Sequence, residues 1–63
     1  MTDFFIQNEG SIFLLQPLSD AGKEWVKEHI GDDAQTLGDA VVIEHRYIGA
    51  IVDGVQADGL SVE

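Results

Sequence analysis

Glu44 and His45 are adjacent where an apolar run gives way to a helical pattern. A carboxylate and an imidazole side by side at such a junction have the makings of a general acid–base pair. That work needs a third group and a pocket, and the residues around them announce neither. The plainer role is adopted, in which one of the two satisfies open amides at a helix start. His29 follows Glu28 near the end of another helical segment, where a protonated ring favours the negative end of the helix. A metal site from His29, His45 and a loop aspartate matches no ligand spacing. Asp33, Gly38 and Glu44 fall at positions one, six and twelve of a calcium loop, but Gln35 and Leu37 occupy positions three and five, where oxygen ligands are needed. Ser11, Ser19 and Ser61 have no nucleophile-elbow context, and no glycine loop with lysine is present to cradle phosphate. No catalytic residue, cofactor or metal is assigned.

The remaining chemistry is charge. Twelve Asp and Glu face three basic residues, Lys23, Lys27 and Arg46, for a net charge of −9. Direct binding to nucleic acid or to an anionic membrane is disfavoured, because Lys and Arg must neutralise phosphate in both. Asp20, Glu24 and Glu28 recur every four residues, which on a helix makes one acidic row with neighbours about 5–6 Å apart. Asp32, Asp33 and Asp39 cluster in the loop that follows, and Asp53 and Asp58 lie on or after the second helix. Such a row imitates the spacing of nucleic-acid phosphates and suits a basic groove, since complementary charge speeds encounter and turns away acidic competitors. The simpler use of the acids is solubility.

Sixty-three residues allow one domain, and 44% apolar composition favours a folded one. Cysteine is absent, so disulfides and thiolate zinc sites are excluded. A chain this short buries roughly 60% of its unfolded surface, so a tight core, extended by a second subunit where one is available, must carry stability. Residues 1–6 lack the basic flank and apolar stretch of a secretory signal, and no apolar run approaches the length of a membrane span. A soluble cytoplasmic protein is expected.

The elements that position these residues follow from period and punctuation. Asp3 to Gln7 and Ser11 to Gln16 read as strands joined by the turn Asn8-Glu9-Gly10, with Pro17 stopping the second. Leu18, Ala21, Trp25, Val26 and Ile30 recur at helical spacing. The first helix is read from Asp20 to Ile30, with Ser19 or Asp20 as N-cap and Gly31 at C′. Trp25 falls on its core stripe. Lys23 and Lys27 lie three residues after Asp20 and Glu24 and are expected to pair with them. Gly31 to Asp39 reads as a polar loop, and Ala40 to Ile43 as a buried strand. Arg46 to Ala57 reads as the second helix, with Tyr47, Ile48, Ile51, Val52 and Val55 on the apolar face and Gly49, Ala50, Gly54 and Ala57 as a smooth stripe opposite. Asp58-Gly59 ends it, and Leu60 to Val62 forms a short last strand. The class is α+β: a single acidic domain over 1–63, a small two-layer sandwich in the order β-β-α-β-α-β with two helices on one face of a sheet.

Val42 to Ile48, Ala57 to Leu60, and Ser11 to Trp25 with Pro17-Leu18-Ser19 resemble a pattern in short uncharacterised bacterial and phage proteins. The resemblance implies no activity and transfers no residue role. Size and acidity are also similar to those of phage-encoded inhibitors, including anti-CRISPR proteins that imitate DNA. The expected function is therefore a non-enzymatic acidic interaction protein that binds a Lys/Arg-rich protein surface through Asp20, Glu24, Glu28, Asp32, Asp33 and Asp39. The alternatives are a homodimeric structural protein associating through the second helix and a small enzyme using Glu44 and His45.

Like charges at this density repel one another and lower stability, and salt screens them over a Debye length of about 8 Å at physiological ionic strength. The melting temperature, followed by circular dichroism in dilute protein, is expected to rise with added NaCl. A flat or falling curve would show that the carboxylates are already paired.

Overall fold

The computed structural model describes residues 2–31 and 33–63. In chain order the elements are β1 (Phe4–Asn8), β2 (Ile12–Pro17), α1 (Asp20–His29), β3 (Thr36–Leu37), β4 (Ala40–Glu44) and α2 (His45–Ala57). They form an antiparallel sheet in the order β1-β2-β4-β3, with two helices. A parallel bridge from Val62 to Phe4 supplies the final extended segment, so the α+β class and its β-β-α-β-α-β order are those expected. The additional strand β3 lies inside the segment read as loop. It is only two residues long and exposed, so no hydrophobic alternation marks it; Gly38, at φ +64°, makes the turn that folds it onto β4.

Local chemistry explains the boundaries. The Asn8 side-chain oxygen accepts from the Gly10 amide at 2.9 Å, and Gly10 takes φ +92°, which closes the β1–β2 hairpin. Ser19 caps α1 by accepting from the Gly22 amide at 3.0 Å. After α2 the Leu60 amide donates to the Val55 carbonyl and the Gly59 amide to that of Gln56, the paired bonds of a Schellman ending.

The core lies on one face of the sheet. Phe4, Leu15, Val41 and Ile43 from the strands meet Trp25 of α1 and Val55 of α2, with Ile6, Phe13, Val26, Ile48 and Ile51 packed around them. Because side chains alternate along a strand, Phe5, Gln7, Ile12, Leu14, Gln16, Leu37, Ala40 and Val42 occupy the opposite face. None of them belongs to the core cluster, so Val42 is half-buried rather than enclosed.

Two features of α2 differ from the helical-wheel reading. Tyr47 is 51% exposed at the first turn, with the Arg46 guanidinium 5.0 Å from its ring centroid. Gly54 is not on a free stripe: a Cβ there would sit 3.4 Å from the Trp25 ring, at van der Waals contact, so the position faces the indole. Gly49 does face open space.

Asp3 ties both ends of the chain to α1. Its carboxylate accepts from the Ser19 hydroxyl at 2.6 Å and from the Ser61 amide at 2.9 Å. These bonds, the Ser19 one foremost, hold its pKa below the ordinary carboxylate value against the opposing effect of desolvation. The Thr2 hydroxyl donates to Glu63 beside it.

A Cβ on Gly22 would approach the Asp3 carbonyl oxygen to 2.6 Å, whereas one on Gly49 meets nothing within 4 Å. Gly22→Ala is therefore expected to destabilise by about 1–2 kcal/mol despite better helix propensity, and Gly49→Ala to stabilise by up to about 1 kcal/mol. Chemical denaturation should return opposite signs for two identical substitutions.

Candidate functional site

The acidic row on α1 survives as a surface feature. Asp20, Glu24 and Glu28 are exposed at four-residue spacing. Glu24 and Glu28 form one wall of an open groove of about 550 Å³, with Asp58 on the other side and Ala21, Trp25, His29 and Leu60 between them. Asp33 is exposed in the segment after α1, and Asp39 is exposed at the β3–β4 turn. Asp39 lines a different cavity. Asp32 lies outside the described residues.

Asp58 enters this site through Trp25. The indole is 7% exposed, and its N–H donates to Asp58 Oδ2 at 2.7 Å. His29 stacks on the indole with ring centroids 4.4 Å apart and planes 12° from parallel. Its Nδ1 donates to the Trp25 carbonyl at 3.1 Å, and its Nε2 stands 3.5 Å from Asp58 Oδ2, an ion pair when the imidazole is protonated. His29 thus ends α1, as expected, and packs beside the indole there. Residues 25 and 58 are far apart in the chain, and the only hint of their pairing is that a buried indole needs an acceptor.

The lysines depart from expectation. Neither Lys23 nor Lys27 is in an ion pair among the described residues. Surface pairs at that spacing gain little in water. Both instead line the second cavity, about 320 Å³, with Pro17, Val26, Ala34 and Val41 as its apolar wall and Asp39 also contributing.

Glu44 and His45 sit at the β4–α2 junction, both exposed. Glu44 makes no capping hydrogen bond from its side chain, contrary to the amide-satisfying role; its carboxylate accepts from Arg46 Nε at 3.1 Å. The His45 ring lies against Phe13 at 4.7 Å. The stretch with calcium-loop spacing is folded as the β3–β4 hairpin. Among the described residues no three His, Asp or Glu come together as a metal would require, and no helix is long and apolar enough to cross a membrane. No family model, curated protein or solved structure matches this chain.

Asp58→Ala leaves the Trp25 N–H without its acceptor and is expected to cost about 1–2 kcal/mol. Asp58→Asn keeps a side-chain oxygen and should lose less than half as much. Denaturation followed by Trp25 emission separates the two.

Proposed function

We propose that the protein is a non-enzymatic, cytoplasmic interaction protein whose α1 face takes a Lys/Arg-rich protein surface in place of a nucleic-acid backbone. The observation that carries this reading is the groove lined by Glu24, Glu28 and Asp58 together with Ala21, Trp25, Leu60 and the His29 ring stacked on the indole. Lysine and arginine side chains have the complementary form, an apolar stem ending in a cationic head. Asp20 continues the row one turn earlier, at a rise of about 6 Å per four residues, a step on the scale of successive phosphates along a strand. The rest of the surface supports the same partner class. A net charge of −9 attracts cationic partners over long range and repels nucleic acid itself. Asp33 and Asp39 act as flanking charge in this scheme rather than as lining of the groove.

Titration with an arginine-rich peptide, read from Trp25 emission, tests the proposal. The expected result is saturable binding that weakens with salt and that falls about tenfold or more in the Glu24→Lys/Glu28→Lys variant. Equal binding by the double reversal, or no binding by the wild type at low salt, would overturn it.

A further inference from the structure

We infer that the open face of the sheet is a homodimer interface, and that two copies stack sheet to sheet with their helix layers outward. The two central strands carry the case. In β2, Ile12-Phe13-Leu14-Leu15 is apolar at every position, and in β4 so is Ala40-Val41-Val42-Ile43. Strands with apolar residues on both faces are normally covered on both. Here the helices cover only one: Phe13, Leu15, Val41 and Ile43 join or pack against the core, while Ile12, Leu14 and Val42 do not. Phe5 at 45% exposure and Leu37 at 63% extend the open face to its two edges.

Electrostatics selects the occupant. Gln7 and Gln16 are the polar members of this face in β1 and β2, and its charges stand at its margins: Glu44, engaged by Arg46, and Glu63 beside β1, whose carboxylate accepts from Thr2. A basic partner would find no acid at the centre of this face. A second copy brings the same neutral surface, as an isologous interface requires. The charge penalty is small in this geometry. Stacked sheets lie about 10 Å apart and each helix layer about 10 Å further out, so the α1 acids of the two copies are about 30 Å apart, several Debye lengths at physiological salt.

The area suits a weak association. Three strands of about five residues and the two-residue β3, at about 4.8 Å spacing and 3.3 Å rise, make a face of roughly 300 Å², so two faces cover on the order of 600 Å², the size of a transient contact. That footprint matches a molecule whose Cα atoms extend 27 × 20 × 17 Å. It also differs from association through α2, where Gly49 and Ala50 remain exposed at the surface. The inference does not depend on the acidic groove, which stays free on both outer layers.

Sedimentation of the full chain across concentration and salt is the test. Dimer is expected to accumulate with concentration up to about 1 mM and to be favoured by NaCl. Val42→Lys at the centre of the face and Leu37→Lys at its exposed edge are each expected to weaken association about tenfold or more with unchanged circular dichroism, while Gly49→Leu on α2 leaves it intact. Should Val42→Lys fail to fold, Leu37→Lys decides alone, because that side chain already faces solvent. A wild type that stays monomeric throughout, or a dimer broken by Gly49→Leu but not by the sheet variants, overturns the inference.

Discussion

Trp25 imposes the condition to which much of the molecule answers. An indole contributes more buried surface than any other side chain here, but its N–H must find an acceptor. Asp58 supplies it at 2.7 Å, and that one bond fixes where the end of α2 lies relative to α1. The ring then meets Phe4 edge-on at 6.0 Å and His29 face-on, so a strand and both helices converge on it. Gly54 belongs to the same packing. A Cβ at this position would meet the indole at 3.4 Å, so this turn of α2 faces Trp25. The carboxylate that serves the indole is also the one that faces Glu24 and Glu28 across the groove. One acid of the groove is thereby held by the core.

A second requirement comes from size. With no disulfide available, a chain of 63 residues must hold its ends by other means. Asp3 accepts from Ser19 and Ser61 together, which joins the N-terminal segment, the start of α1 and the C-terminal segment through one carboxylate. The amides of Phe4, Ile6 and Glu63 complete a short parallel pairing along the outer edge of β1. That pairing protects a strand edge that would otherwise offer its amides to another chain. At the far side the sheet ends in β3, whose two residues offer little to pair with.

The parts of this fold that were legible in the sequence are those set by local rules. Helical period with Ser19 before it and Gly31 after it bounded α1 to within a residue, and Asp58-Gly59 marked the end of α2. The first hairpin followed from Asn8-Glu9-Gly10 between apolar runs. What could not be read depends on which faces meet. A helical wheel separates Gly54 from the apolar residues by angle alone, and only the arrival of Trp25 from another element shows that it faces inward. Lys23 and Lys27 have acids at suitable spacing, yet their place beside Val26, Ala34 and Val41 depends on the course of the segment after α1. The acidic row Asp20, Glu24, Glu28 was visible as a period, whereas its union with Asp58 rather than Asp39 required tertiary structure.

The sidedness of the sheet joins these observations. Placing a charge on a strand that packs against another apolar layer costs desolvation, so a chain with twelve carboxylates must keep them off any face it intends to cover. Among the described residues most acids lie on the exposed flank of α1, on α2 and its end and in the turns, while on the open side of the sheet they stand at the margins, Glu44 paired with Arg46 and Glu63 accepting from Thr2. Solubility alone does not require that separation, because acids distributed over the open face would serve it equally well and would remove an apolar surface from water contact. A face whose centre is free of charge on so acidic a molecule therefore carries information of its own. It leaves the helix layer strongly negative and exposed, with the thickness of the sheet between those acids and the apolar side.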